Sequence, residues 1–432
     1  MTTEEKRLNI HYSLILGAYW MIFAVSSIFI VPLLRLKGFD DSQIGILIAI
    51  RSISAITVSP LIATYSDRHP KRQLKYILML LLIINIINTF IFQFCHMNYM
   101  GAILIFIILG ATTNTMPPLH SSMAMKFNEN GKRLVYSIGR GTGSISYAVI
   151  SLILGKFVSS DNYSASLYIQ IGLDIFSLIC IMLFPKYKVS DIKEVNNIKS
   201  KNEIISRNRL SDRRESVVRD KNKDKSKDEN KNVNETEIVH SNMYLIRNYK
   251  NFTVFLIASV FVFVGYSMCN SFMIDIIMSR GGTNADMGIS CFILGAAELP
   301  TAILFPKLKI RFGTKRLLEI SAVFALVKMI FLYLSPNVLC VFFSQMIQML
   351  GNGLYWPTSV FYVNEVISGK DQVKGQSLTN IASVNIGAVL GSVVSGKLLC
   401  YFNINSVILF GCICTFIGVI FMFMATRTKL QS

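Results

Sequence analysis

The chain has 432 residues, of which 52% are hydrophobic and only 16% charged, whereas a soluble domain carries about 25% charged residues. Its net charge of +18 would suggest a nucleic-acid partner in a soluble protein, but the Lys and Arg residues gather in short polar stretches between long apolar runs. That excludes an ordinary soluble enzyme or nucleic-acid-binding domain and reads as an all-α membrane protein.

A helix needs about 20 apolar residues to cross a hydrocarbon layer of about 30 Å. Twelve segments meet this: residues 11–34, 43–64, 75–95, 99–124, 134–158 and 166–185, then 252–277, 287–306, 317–335, 338–363, 376–400 and 403–426. The first is too long for the apolar core of a cleaved signal, so it is expected to stay as an anchor. Residues 1–186 and 251–432 are expected to form two six-helix bundles. Residues 187–250 separate them as a linker. From Lys186 to Lys250 there are 17 Lys/Arg and 11 Asp/Glu, with many Asn and Ser. Such a stretch buries too little apolar surface to offset the entropy of ordering, so it is expected to be mostly disordered.

Orientation follows from the short loops. With both termini on one side, that side's short loops and tails hold 18 Lys/Arg and the other side's only five: Arg35, Lys37, Lys156, Arg280 and Lys397. The basic side is expected to be cytoplasmic, and with it the linker and both ends. The expected location is a plasma or inner membrane. The eight cysteines fall within or at the ends of apolar segments, without zinc or disulfide spacing, and read as core packing.

The two halves echo each other at an offset of about 240 residues. Asp67-Arg68-His69-Pro70-Lys71-Arg72 follows segment 2, and the basic run Arg311 to Arg316 follows segment 8. Gly110 with Pro117-Pro118 in segment 4 answers Gly351 with Pro357 in segment 10, and Gly155-Lys156 answers Gly396-Lys397. This is the pattern of parallel repeats about an axis along the membrane normal.

Six plus six segments, a long charged linker and a basic loop after segment 2 together resemble the major facilitator superfamily. The loop is similar to that family's Gly-x-x-x-Asp-Arg-x-Gly-Arg-Lys motif: Asp67, Arg68, Lys71 and Arg72 are present, while Ala63 and Pro70 replace the glycines. The resemblance implies the twelve-helix, two-bundle fold, with Asp67, Arg68 and Arg72 steadying one side of the interface between moving halves. Within the superfamily, Ala296-Ala297-Glu298-Leu299-Pro300, the stretch from Gln348 to Gly375-Gln376-Ser377-Leu378, and the Gly387/Gly391/Gly396 run are similar to the lactose-permease-like and phenylpropionate-permease-like branch.

Once loops and linker are set aside, three basic residues remain within the apolar segments: Arg51, Arg140 and Lys328. Three acids remain with them: Asp174, Glu298 and, toward the outer end of segment 7, Asp275. A charge at the bilayer centre costs at least about 2.5–3.5 kcal/mol, so these side chains are expected to face a water-filled cavity or one another. A carboxyl held away from water favours its protonated form, which makes Glu298 the first choice for a proton-coupling residue. The resemblance implies Lys328 as its cationic partner. Asp174 is left to pair with Arg51 or a helix break. Where the branch has a His and, three residues on, a proton-carrying Glu, this chain has Gln348 and Gly351, so any proton must be carried elsewhere, by Glu298 or Asp174.

Arg140 and Tyr147 stand seven residues apart, two helical turns, and so share a face. The resemblance implies a solute-binding Arg and a ring-stacking aromatic at these positions. The acid that pairs with the Arg in that branch is Ser121 here, leaving Arg140 free for an anion or hydroxyl. Asn114 and His120 in segment 4, with Gln348, complete the expected binding set, a packing role for His120 being the alternative. Gly139-Arg140-Gly141-Thr142-Gly143 looks like a phosphate loop but follows no strand; small residues at this spacing permit close helix contact instead. No metal or enzymatic constellation stands out. The expected function is secondary active transport of a sugar, nucleoside or small carboxylate by alternating access, with proton symport as the drive. No cofactor is expected beyond a proton or other ion gradient; the expected partners are the solute and the bilayer, with no nucleic acid, and the chain is expected to work as a monomer. The alternatives are proton-coupled efflux of amphiphiles, against which the Gly-Pro signature of antiporters is missing from segment 5, and a non-transporting receptor or scaffold on the same fold.

Overall fold

The computed structural model describes residues 2–68, 74–129, 131–158, 162–186, 242–367 and 371–427. Among these residues are twelve helical rods. They are α1 (Thr3–Ile28, continued by Ile30–Leu36), α2 (Asp41–Arg68), α3 (Leu74–Phe94), α4 (Tyr99–Thr113 and Met116–Glu129), α5 (Tyr136–Phe157) and α6 (Ala165–Leu183) in the first half. The second half holds α7 (Lys250–Ser271 and Met273–Ser279), α8 (Asn284–Phe312), α9 (Thr314–Leu334), α10 (Val338–Ile347 and Asn352–Val366), α11 (Gln372–Asn380, a π-helical turn Ile381–Ile386, then Gly387–Tyr401) and α12 (Ile404–Arg427).

Ten rods are long and apolar enough by themselves to cross a membrane, and α8 joins them if its two parts, bent by 54° past Thr301, count as one span. Pro300 and Pro306 sit on either side of that bend, and a proline removes a backbone donor and kinks its helix. The twelfth rod, α5, is the exception because it carries Arg140 and several Ser, Thr and Gly residues. Its polarity belongs to the cavity it lines. In α3 the usual helix is turned inside out: Leu80, Ile83, Ile87 and Phe90 face outward, while Asn85, Asn88 and Thr89 are buried. Hydrocarbon outside and hydrogen-bond partners inside dictate that arrangement.

The two halves repeat one packing scheme. In the first half α1 packs on α5 and α6, α2 on α4, and α3 on α4 and α6. In the second, α7 packs on α11 and α12, α8 on α10, and α9 on α10 and α12. Local details repeat too. Both α1 and α7 break at a phenylalanine, Phe29 and Phe272, and resume for seven residues. A glycine with positive φ then turns the chain, Gly38 at 90° and Gly281 at 78°, a backbone region that side chains with a Cβ avoid.

The halves meet through α2 against α11 and α5 against α8, the same contact twice under the repeat. A Cβ on Gly45 would come within 2.4 Å of the Ser392 carbonyl oxygen, and one on Gly155 within 2.9 Å of Gly288 Cα. These contacts lie away from the linker, at what we term the far end. There Arg35 bonds both Asp41 at 2.7 Å and Asp275, across the halves, at 2.5 Å. Asn284 adds a hydrogen bond to the Val158 carbonyl at 3.0 Å. Arg35 and Asp275 stand 240 residues apart, each in the seven-residue continuation that follows the phenylalanine break of α1 or α7.

The side chains of this latch are a fifth to a third exposed, so its worth is held to about 1 kcal/mol by solvent screening. Asp275→Asn is therefore expected to raise the ratio of far-end-open to far-end-closed molecules about five-fold. Spin labels at Lys37 and Tyr401, on opposite halves at this end, would report it as a larger long-distance population.

The expected linker divides in two. Residues 187–241 lie outside the described residues, and with them the expectation of disorder there. The remainder departs from that expectation: Asn242–Asn248 is helical and leads into α7, anchored by the fully buried Leu245. Of the loop motif, the backbone of α2 runs through Asp67 and Arg68, but their side chains and all of Arg72 lie outside the described residues.

Candidate solute site

A cavity of about 430 Å³ opens between the halves, linker-ward of the far-end contacts. Both tryptophans of the chain, Trp20 and Trp356, line it from opposite halves, and Arg51, Arg140 and Glu298 are its charged groups. Asn114, Asn270 and Asn385 add amides, and Tyr147 and Tyr266 add further rings. A mostly apolar cleft with a few convergent polar groups is the usual form of a small-molecule site.

Arg140 sits where sequence spacing places it, on one face of α5 with Ser144 and Tyr147. Its guanidinium lies 4.1 Å from the centroid of the Trp20 ring and donates to Ser144 Oγ at 3.0 Å. Stacking of this kind holds the fork flat, with a worth of about 0.5–2 kcal/mol. Trp20 can lie there because α5 presents glycine: a Cβ at Gly143 would come within 2.2 Å of Trp20 Cδ1. Gly139 makes room for Tyr12 in the same way, at 3.0 Å. The glycine run is thus a contact surface between α1 and α5. Among the described residues no acid bonds Arg140, so its remaining donors are open to a solute.

Glu298 reaches the cavity from α8, just before the Pro300 bend. No hydrogen bond or ion pair joins it to a described residue, although Arg140 and Lys328 both lie within electrostatic range. The expected Glu298–Lys328 pair is not formed. Lys328 instead donates to Gln348 Oε1 at 2.6 Å and lies 5.3 Å from the centroid of Tyr266. Gln348, expected to touch solute, is buried behind the cavity wall and holds the lysine.

The expected pairing of Arg51 with Asp174 is not formed either. Arg51 donates to the Ser26 carbonyl and to Ser26 Oγ, both at 3.0 Å, and to Ser27 Oγ at 3.3 Å. Asp174 accepts from Asn85 inside the first half. Neutral oxygens and amides, which are compact and leave no counter-charge to bury, take the place of ion pairs in both.

Within α4 only Asn114 of the expected residues reaches the cavity; it occupies the break between the two parts of the helix. His120 is buried with its ring edge-on to Tyr19 at 5.2 Å and neither ring nitrogen bonded to a described residue, so it packs rather than binds. Ser121 Oγ returns its hydrogen bond to the Pro118 carbonyl at 2.9 Å. Trp20, Trp356, Asn270 and Asn385 escaped sequence reasoning, which followed charge. One signal could have found the first two: the chain has only two tryptophans, and they stand in different halves. Asn385 is brought in by the π-helical turn of α11, whose Ser383, Val384 and Asn385 all line the cavity; such turns occur mostly at functional positions.

A profile of the MFS_1-like family matches residues 11–411. The chain belongs to the major facilitator superfamily. A maltose permease from Geobacillus stearothermophilus is 26% identical over 180 residues, a match covering 42% of this facilitator and 46% of the permease, less than half of either chain. Among solved structures, the nucleoside transporter NupG superposes with a TM-score of 0.75 at 14% identity, covering 98% of this chain and 100% of that one. A bacterial homologue of the human lysosomal transporter Spinster, inward-facing and unoccupied, superposes with a TM-score of 0.68 at 14% identity over 100% and 98% of the two chains. These likenesses agree with the twelve-helix fold and with the resemblance carried by the loop motif. This facilitator is an integral, multi-pass membrane protein.

Proposed function

We propose that the chain carries a small organic solute with a ring and several oxygen functions, a nucleoside, sugar or small carboxylate, by alternating access and in symport with protons. The observation that carries this reading is the cavity between the halves, with a tryptophan on each side, an open arginine and an unpaired glutamate. A ring would stack on Trp20 or Trp356, and hydroxyl or carboxylate oxygens would accept from Arg140 and the asparagines. The nucleoside transporter and maltose permease among the relatives support ring-bearing solutes of this size. Glu298, the unpaired acid at the same cavity, suits proton exchange with solute binding.

The contacts at the far end make this the state closed there. Transport requires those glycine contacts and the Arg35–Asp275 pair to part while the linker end closes, a rocking of one half on the other. The basic loops support a cytoplasmic linker end, so the solute would be taken up into the cell. In this reading the chain works as a monomer.

The two tryptophans offer a direct test. Titrating the purified chain with uridine, maltose and phenylpropionate while following intrinsic fluorescence is expected to give saturable quenching by at least one, with the signal cut sharply in Trp20→Phe. Quenching by none of the three, in a protein that remains folded, would count against the reading.

A further inference from the structure

A buried carboxyl stands apart from the cavity. Asp174, midway along α6, is fully enclosed and accepts one hydrogen bond, from Asn85 Nδ2 of α3 to its Oδ2 at 2.9 Å; its Oδ1 has no partner among the described residues. The titratable groups of the surrounding elements are engaged elsewhere. From α1, His11 lies 2.8 Å from the Cys180 carbonyl, Tyr12 donates to the His120 carbonyl and Tyr19 to that of Thr113. From α3, Lys75 donates to the Phe184 carbonyl at 2.8 Å. His120 of α4 packs on Tyr19, and Cys180 lies on α6 itself. Among the described residues no charged side chain acts on Asp174. An unpaired carboxylate in this place, with one neutral donor, is costly, and neutralising it removes that cost.

The neighbouring hydrogen bonds accommodate both forms with no more than a turn of the Asn85 amide. Thr112 Oγ1 lies 3.1 Å from Asn85 Oδ1 and 2.8 Å from the Ile108 carbonyl oxygen. With Asp174 ionised, Thr112 donates to Asn85 Oδ1, and the amide donates to the carboxylate. With the Asn85 amide turned over, the order reverses. Asp174 Oδ2–H then donates to Asn85 Oδ1, the amide N–H donates to Thr112 Oγ1, and the threonine hydroxyl donates to Ile108. Each link of that chain then carries a hydrogen bond and no charge is buried.

The chain ends at Thr112, two residues before the cavity-lining Asn114. Thr113, next to Thr112, has its Oγ1 3.5 Å from Arg51 Nη2, and Asn114 follows in the break of α4. A second approach runs past Ser26, the partner of Arg51, to a void of about 20 Å³ lined also by Asn88, Thr89 and Gln170. That is room for about one water, one turn from Asn85 and Asp174.

We propose that Asp174 is a proton-binding site of this transporter, separate from the solute cavity, and that the Asp174–Asn85–Thr112 chain ties its proton to the α4 break that presents Asn114. The proton arrives from water at the cavity wall, forms the O–H bond on Asp174 Oδ2, and leaves to water by the reverse step. The proton site stands on its own geometry; only its use in driving uptake rests on the symport reading above.

Infrared difference spectra of the purified full chain in lipid vesicles, between acid and alkaline buffer, test the site. A protonated-carboxyl C=O band that disappears with rising pH is expected, absent in Asp174→Asn, retained in Glu298→Gln and displaced in frequency in Asn85→Leu. A titrating set of carboxyl bands unchanged by Asp174→Asn would overturn the site. The tie to the cavity is read from tryptophan emission in the Glu298→Gln background, which is expected to titrate together with the band and to stop titrating when Asp174→Asn or Thr112→Val is added. Emission that ignores pH while the band titrates would overturn the tie. If both titrate but a proton gradient fails to drive uptake, the symport reading fails and the proton site stands.

Discussion

Arg140→Ala is expected to abolish measurable uptake and to weaken solute binding about 30-fold or more. Removing one partner of a buried, charge-assisted hydrogen bond costs about 2–5 kcal/mol, and Arg140 has few competing claims on its donors. Ser144 takes one, and the Trp20 face holds the plane at 4.1 Å. The substitution also leaves Trp20 without its cap, so part of the loss is a looser aromatic wall. Arg140→Lys separates the two contributions. Lysine keeps the charge but not the flat fork that stacks and donates in parallel, so binding should recover only partly. Equal affinity in the Lys and Arg forms would show that charge alone acts there. Fluorescence titration measures affinity and filter uptake measures transport on the same preparations.

Glu298→Gln should separate transport from its driving force. Glutamine has the shape of the protonated acid but exchanges no proton. Counterflow, in which labelled solute outside exchanges with unlabelled solute inside, needs only the rocking motion and should continue. Concentrative uptake under an inward proton gradient should fall to the level seen without a gradient. The absence of a bonded cation beside Glu298 among the described residues supports this expectation, because a glutamate locked in an ion pair would be lost to structure when replaced. Loss of counterflow together with concentrative uptake, in a well-folded variant, would assign Glu298 to solute binding instead.

The fold was legible because hydrocarbon imposes one rule on every segment, and the repeat could be seen in loops and glycines far from any site. Gly155 and Gly396 are examples. Their echo in the sequence becomes the same contact made twice at the far end, against Gly288 and Gly45. The site was legible where a charge stood in an apolar run: Arg51, Arg140 and Glu298 all line the cavity. The expected binding set failed where the helices are irregular. His120 and Ser121 follow the break of α4 after Thr113, and Gln348 sits where α10 stops at Ile347 and resumes at Asn352. Past such a break the facing of a residue no longer follows from the turns before it. The π-helical turn of α11 displaces the phase in the same way and brings in Asn385, which no count of 3.6-residue turns would select. The pairing of charges was beyond reach for another reason: Arg51 and Lys328 are satisfied by serine and glutamine oxygens, which are too common in the sequence to point to.

Transport through the cavity between the halves, by alternating access and driven by protons, is tested most directly in reconstituted vesicles. These are loaded at alkaline pH and diluted into acidic buffer with labelled solute, chosen from the compounds that quench tryptophan fluorescence. Accumulation above equilibrium is expected, collapsing with a protonophore, absent in Arg140→Ala and persisting only as exchange in Glu298→Gln. Binding of the solute without movement across the membrane under any gradient would contradict it.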